Sequence, residues 1–286
     1  MFVPRKILEH KLLQLLAEDI GQGDITASAI APQDFVVQAE IVAKAQGIIA
    51  GIEEATVLAE SLGLKVKCET ADGQEIKAGQ RLILLSGDAR TILTAERTLL
   101  NLLSRMSGIA TTTRRLTAKI QKAKLKTRIA ATRKTAPGLM HFDKKAVIMG
   151  GGDPHRLHLD DMILIKDNHI VLAGTLEKAL KLTKESVSFS KKIEAEVTKP
   201  ADALRAAKLG ADIVMLDNFS PEQIKEAIAL LRKANLAGKV QVEASGGITE
   251  ENLLDYAETE VDIVSLGALT HSVKALDISL EILPPK

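Results

Sequence analysis

Beyond Gly108 the chain carries six short apolar runs: RIAAT (128–132), MILIK (162–166), KIEAEV (192–197), DIVMLD (212–217), KVQVEAS (239–245) and DIVSLG (262–267). Amphipathic segments separate the later ones: GTLEKALKLTKE, PADALRAAKLG, PEQIKEAIALLRKA and TEENLLDYAE. Strand-length runs alternating with helical patterns describe parallel βαβ units, because a parallel pair needs a long crossover between its strands. Six or more such strands point to a (β/α) barrel or a close variant rather than an open doubly wound sheet. No glycine-rich dinucleotide fingerprint follows any of them. The expected class is therefore α/β.

The first hundred residues mix helix and strand without that alternation. PRKILEHKLLQLLAEDIGQGD reads as a helix stopped by Gly21 and Gly23, and IEEATVLAESLG (52–63) as a helix ended by Gly63. DFVVQAEIVAK (34–44), LKVKCET and QRLILLSG read as strands, the last two joined by the turn-rich ADGQEIKAG. ARTILTAERTLLNLLSRMSG reads as a helix ending near Gly108, and LTAKIQKAKLK (116–126) as a separate helix with a solvated basic face.

Composition excludes several classes. With 38 basic against 37 acidic residues there is no global attraction for a polyanion. Five Phe, one Tyr and no Trp leave little aromatic surface for stacking bases, so no nucleic-acid partner is expected. Cys68 is the single cysteine, which leaves no internal disulfide and no cysteine-rich zinc site. Charges interrupt the apolar pattern of the N-terminal segment, unlike a signal peptide, and no apolar run approaches a membrane span. A cytoplasmic protein without a membrane partner is expected. Locally the charge is uneven: no acidic residue occurs between Arg97 and Phe142, a stretch that includes Arg97, Arg105 and Arg133 among apolar neighbours.

In a barrel, chemistry sits at the C-terminal ends of the strands. Here those ends read ATRKT (131–135), IKDNH (165–169), EAEV (194–197), LDN (216–218), EASGG (243–247) and SLGA (265–268). They place Arg133, Lys134, Lys166, Glu196, Asp217 and Ser245 at one rim, a coincidence that stability alone does not require. SGGIT, followed by LGA, suits a phosphate: glycines let backbone N–H groups approach an anion, and Thr249 is placed to cap a following helix. Glu196 and Asp217 beside such an anion call for Mg²⁺ between them, for ribose hydroxyls, or for ion pairs with Lys166 or Lys134.

GGGDPHRLHLDDMILIKDNH (150–169) holds three histidines, which raises the question of a metal. Arg156 and Lys166 beside them would repel a dication. Together with Arg133 and Lys134 they instead make a pocket for a small polyanion, with Arg156 offering a bidentate fork and His155 beside it. His158 and His169 read as structural.

ERTLLNLLSRMSGIAT (96–111), TRKTAPGL (132–139), GGGDPHRLHL (150–159), IKDNH, IEAEV (193–197), MLDN (215–218), EASGGI (243–248) and GALTHS (267–272) occur in this order. Together they resemble the quinolinate phosphoribosyltransferase family, from about residue 5 to the C-terminus. The resemblance implies a mixed α/β N-terminal domain (1–107), an incomplete (β/α) barrel (108–270) and a tail (271–286) that returns to the first domain. It implies transfer of a phosphoribosyl group from phosphoribosyl pyrophosphate to quinolinate, with Mg²⁺, giving nicotinate mononucleotide, pyrophosphate and CO₂ in NAD biosynthesis. Carried over by motif, Arg133, His155 and Arg156 would hold the two quinolinate carboxylates, with Thr132 in the same substrate-binding segment. Lys134 and Lys166 would lie between quinolinate and the donor. Glu196 and Asp217 would meet the ribose and Mg²⁺, and with the two lysines form the catalytic set. Ser245, Gly246, Gly247 and Gly267 would cradle the 5′-phosphate. Arg97 would reach the active site of a neighbouring subunit, making a homodimer the minimum unit and allowing a hexamer.

Two positions depart from the pattern: Met140 stands where many relatives carry arginine, and EAEV replaces the more usual EVEV while keeping Glu196. A paralogous protein associated with molybdate-transport clusters shares RKT and GGG…HR, but lacks the lysine of KDNH. A zinc-dependent barrel hydrolase built on His155, His158 and His169 is the rival from another class.

Overall fold

Leu8, Leu12 and Leu16 recur every fourth residue and are buried, so the first helix forms around one apolar stripe and stops at Gly21, whose φ is 57°. A computed structural model describes residues 3–284, so Pro285 and Lys286 at the end of the expected tail lie outside it. In chain order the first elements are α1 (Arg5–Ile20), α2 (Ile25–Ile30), β1 (Val36–Ala43), β2 (Gly47–Ile48), α3 (Ile52–Ser61), β3 (Lys65–Cys68), β4 (Glu75–Ile76), β5 (Arg81–Asp88) and α4 (Ala89–Lys122). They are followed by β6 (Arg128–Ala130), α5 (Met140–Met149), β7 (Ile163–Ile165), α6 (Asp167–Ala173), α7 (Leu176–Ser186), β8 (Ile193–Val197) and α8 (Pro200–Lys208). The last are β9 (Ile213–Asp217), α9 (Pro221–Lys233), β10 (Gln241–Ser245), α10 (Leu253–Ala257), β11 (Ile263–Ser265), α11 (Ala268–His271) and β12 (Ile278–Ile282).

The chain divides into two compact units. The first takes the residues up to Arg114, Pro137–Gly151 and those from Ser272 onward. Its main sheet is antiparallel, in the order β12-β1-β5-β3, and β12 pairs with β1 from Ala39↔Ile282 to Ala43↔Ile278. A buried ion cluster braces the unit. The Lys145 ammonium lies 2.5 Å from Glu53, 2.8 Å from Glu54 and 3.5 Å from Asp72, and burial pushes the Glu54 carboxyl up despite that partner. The Arg105 guanidinium grips the fully buried Asp143 through two hydrogen bonds of 2.7 and 2.8 Å.

The second unit takes Arg115–Ala136 and Gly152–His271. Its six strands are parallel, in the order β6-β11-β10-β9-β8-β7. All six apolar runs of the sequence are these strands. β6 and β7 are the two edges and are not hydrogen-bonded to each other, so the barrel is incomplete. Ala195, Val197, Val214, Leu216, Val242, Ala244 and Val264 point from one face of the sheet into a core shared with buried residues of α7, α8 and α9. α9 shows the local logic: the Ser220 hydroxyl accepts from the Gln223 N–H, Pro221 opens the helix, and Ile224, Ala227, Ile228 and Leu231 are buried.

Three expectations need correction. α4 does not end near Gly108; it runs for 34 residues to Lys122 and absorbs the basic segment read as a separate helix. Gly108 is there for close approach, since a Cβ would lie 2.2 Å from the Lys274 carbonyl oxygen and 3.0 Å from the Ala275 Cα. Thr249 does not cap the next helix. Its N–H donates to the Asn252 side chain at 2.8 Å, which extends the turn so that α10 starts only at Leu253. Helices α2, α5 and α6 lie outside the helical segments read from the sequence.

Gly108→Ala should therefore destabilise the protein by roughly 1–3 kcal/mol, as overpacking against backbone does, although alanine is the better helix former. Urea unfolding checks this; an unchanged or raised midpoint would refute the close-approach reading.

Candidate active site

Strand alternation decides which side chains face away from the helices. Because the core-facing residues are 195 and 197 on β8, 214 and 216 on β9, and 242 and 244 on β10, the other face presents Glu194, Glu196, Met215, Asp217, Gln241, Glu243 and Ser245. Parallel pairing then brings the strand C-termini to one rim: Ser245 is level with Asp217 and with Ser265, and Ser265 with Ala130. Lys166 follows β7 directly and reaches Glu196 with its ammonium 3.1 Å from Oε2.

A cavity of about 690 Å³ in this unit is lined by Arg133, Arg156 and Lys166, together with His169 and apolar residues including Leu159, Ile163 and Leu172. Arg156 is buried; its Nε donates to the His158 carbonyl at 3.1 Å and a terminal nitrogen to the Leu159 carbonyl at 2.8 Å. Burial, and next the nearby Arg133, lower its affinity for the proton, yet a guanidinium stays charged at neutral pH. Two arginines and a lysine thus border one partly apolar cavity. His158 serves the loop: its N–H and that of Leu157 donate to Asp161, whose carboxyl they hold below the usual range. The His169 Nδ1 accepts the Lys166 backbone N–H at 2.9 Å and caps α6. Each of these contacts is local to its own loop or helix start, and His169 also borders the cavity.

The opposite part of the rim is built for close backbone approach. Gly246 and Gly247 have φ of 91° and 64°, and a Cβ on Gly246 would strike the Asn218 side chain at 2.2 Å. Asn218 is itself left-handed (φ 56°), its N–H donating to the Ser245 carbonyl and its side-chain amide to Asp217 at 2.8 Å. A Cβ on Gly267 would touch Lys134 and His271, each at 3.0 Å. Lys134 is exposed, with its backbone N–H donating to the Thr132 hydroxyl at 3.1 Å and its carbonyl accepting from Thr270 at 2.9 Å. His271 is thus a rim residue not singled out in the sequence, though GALTHS contains it.

Glu194 and Glu243 were also missed. Both are fully buried on the sheet face that carries Glu196 and Ser245, and they meet the His155 ring: Nε2 is 2.9 Å from Glu243 and 3.6 Å from Glu194. Neither Glu194 oxygen, nor Oε1 of Glu243, has a hydrogen-bond partner among the described residues. Burial first, then the Glu243 charge, push the Glu194 carboxyl up to about 8 against the pull of His155 and Arg156. The signal was glutamate in the middle of otherwise apolar strands, two residues ahead of a rim residue.

Among the described residues, two clusters place three ligand atoms within 4.8 Å of one another: His155 with Glu194 and Glu243, and Glu53 with Glu54 and Asp72. The second already encloses the Lys145 ammonium. Neither cluster contains His158 or His169, so the three histidines of a zinc hydrolase do not converge. Glu196 and Asp217 stand on neighbouring strands as hard oxygen donors, a set that suits Mg²⁺ completed by substrate oxygens. Arg97 belongs to the other unit, exposed on α4 with its guanidinium 3.8 Å from Glu96.

Family models described as quinolinate phosphoribosyl transferase, N-terminal and C-terminal domain, match residues 24–107 and 109–281. The chain is 46% identical to the "Probable nicotinate-nucleotide pyrophosphorylase [carboxylating]" of Methanothermobacter thermautotrophicus, over 94% of this chain and 96% of that one. It is 39% identical to the "Nicotinate-nucleotide pyrophosphorylase [carboxylating]" of Mycobacterium leprae, over 93% and 94% of the two chains. The solved nicotinate-nucleotide pyrophosphorylase of Francisella tularensis superposes with a TM-score of 0.89 at 39% identity, covering 99% of this chain and 98% of that one.

The raised Glu194 carboxyl makes a testable link to stability. The folded chain keeps a proton, up to about pH 8, that the unfolded chain releases near 4.5, so its contribution is full below that lower value and is lost as pH rises toward 8. Glu194→Gln should flatten the fall in Tm between pH 5 and 8 by on the order of 5 °C. Parallel curves for the two proteins would show that Glu194 is not held protonated.

Proposed function

The chain belongs to the quinolinate phosphoribosyltransferase family, and on that premise we propose how its residues divide the work. The reaction joins the quinolinate nitrogen to the ribosyl carbon of phosphoribosyl pyrophosphate, expels pyrophosphate and releases CO₂, leaving nicotinate mononucleotide for NAD biosynthesis. The observation that carries the reading is the single cavity shared by Arg133, Arg156 and Lys166. Quinolinate presents two adjacent carboxylates on a flat ring, and Arg133, Arg156 and His155 are the groups that take them, with Thr132 ordering the segment. An arginine fork reads a carboxylate plane in a way a lysine cannot, which assigns the arginines to binding and the lysines to the junction between substrates.

Lys166, paired with Glu196, is the cation nearest the join, and Lys134 approaches from the β6 side. As pyrophosphate departs, positive charge grows on the ribosyl ring, and Glu196 and Asp217 are fixed carboxylates able to stabilise it. Ser245, Gly246, Gly247 and Gly267 would hold the 5′-phosphate through backbone N–H groups, and the absence of a Cβ leaves room for Asn218 beside Gly246 and for Lys134 and His271 beside Gly267. Glu196 and Asp217 would also hold Mg²⁺, which supplies charge neutralisation of the pyrophosphate when bound.

The reading includes a cytoplasmic homodimer in which Arg97 of one copy enters the active site of the other. Its side chain is 62% exposed, with Glu96 at 3.8 Å, so it is available to a second chain. Among the described residues no helix is long and apolar enough to cross a membrane.

Purified protein given phosphoribosyl pyrophosphate and Mg²⁺ should convert quinolinate, and not nicotinate, to nicotinate mononucleotide with release of CO₂, and a chelator should stop it. Product from nicotinate alone would sink the dicarboxylate reading. Mixing inactive Arg97→Ala with inactive Lys166→Ala should restore about a quarter of wild-type activity, because half of randomly paired dimers carry one intact site. No recovery after confirmed subunit exchange would place Arg97 outside the neighbouring site.

A further inference from the structure

Against β8 and β10 the chain commits a largely buried site to one imidazole. His155 occupies the left-handed region at φ 54°, a conformation that costs a non-glycine residue energy and persists where the surroundings enforce it. The enforcement is visible: its backbone N–H donates to Asp153 Oδ1 at 2.7 Å, and its ring Nε2 lies 2.9 Å from Glu243 Oε2 on β10, with Glu194 of β8 at 3.6 Å. Both glutamates are fully buried, and Arg156 follows directly in the chain. Two buried carboxylates are expensive unless a positive group serves them. Three of their four oxygens lack a hydrogen-bond partner among the described residues, so the pair exceeds what packing His155 would require.

We propose that Glu243 is a positioning residue for substrate binding: backed by Glu194, it fixes the His155 ring so that His155 and Arg156 together receive one carboxylate of the substrate. A carboxylate acceptor at 2.9 Å places a proton on Nε2 and leaves the ring no freedom to flip. Glu243 touches neither the phosphoribosyl donor nor the reacting atoms in this scheme. It acts through His155, and it makes the protein selective for a ring with two carboxylates over one. The inference rests on the quinolinate reading of the site.

The test is a double-mutant cycle on the full-length enzyme, with quinolinate and phosphoribosyl pyrophosphate varied separately. Glu243→Gln should raise KM for quinolinate about tenfold, with kcat and the KM for the donor within about twofold, as expected for losing one charge-assisted hydrogen bond. In a His155→Ala background the same substitution should change KM for quinolinate by less than about twofold, because its route of action is gone. If Glu243→Gln does not fold, Glu243→Asp, which keeps the charge and retracts it by one methylene, takes its place with the same expected non-additivity. Equal losses in both backgrounds, or losses shared with the donor, would overturn the proposal. So would a stoichiometric divalent metal in the wild-type protein that Glu243→Gln releases, since His155 would then be a ligand. A wild-type enzyme that turns over no quinolinate would instead fell the functional reading, and the inference with it.

Discussion

A parallel sheet can carry carboxyl groups on its buried face only if cations meet them or they keep a proton, and that compensation governs the second unit. Glu194, Glu196, Asp217 and Glu243 all project from one face of three adjacent strands. Lys166 answers Glu196 and His155 meets Glu243, while burial leads Glu194 to keep its own proton. Remove the cations and the face must take up protons or let in water. Under the proposed function, the groups that make the sheet tolerable are largely the ones a polyanionic substrate would engage.

Much of this was legible in the sequence because strands buried on the helix side leave a strong trace. Each of the six apolar runs supplied a strand, and polar residues at their C-terminal ends marked the rim. Lys166, Glu196, Asp217 and Ser245 were found by position alone, since a parallel sheet sends every strand C-terminus to one side. Ala195 in EAEV is buried in the helix-side core, so the departure from EVEV changes packing and leaves the functional face untouched.

What escaped had physical reasons. Gly108 reads as a helix stop because sequence cannot distinguish a glycine that ends a helix from one that lets another segment come close. α5 carries His141, Asp143, Lys144 and Lys145, so its helical period is hidden by charges that are nonetheless buried. Burial, with Lys145 nearby, lowers the His141 imidazole to about 4, a neutral ring inside the unit rather than a surface base. Glu194 and Glu243 were invisible for the converse reason: a lone acid within an apolar strand looks like a solvent-facing residue until the register shows that its face is covered. His155 and Arg156 are adjacent in sequence but differ in kind, one clamped by buried acids and the other by carbonyls of its own loop.

The unclosed barrel leaves two strand edges, and unpaired edges invite other chains to add to the sheet. Both are kept to three residues, β6 at Arg128–Ala130 and β7 at Ile163–Ile165. On β6 the backbone of Asp153 bridges to Ala130, exchanging hydrogen bonds with Ile129 and Ala131 at 2.8 and 3.0 Å. The segment that delivers His155 and Arg156 to the site thus also plugs the β6 edge. Loosening that segment would expose a ready template for strand addition, so a lesion there would surface as self-association in a crowded cell as well as lost turnover.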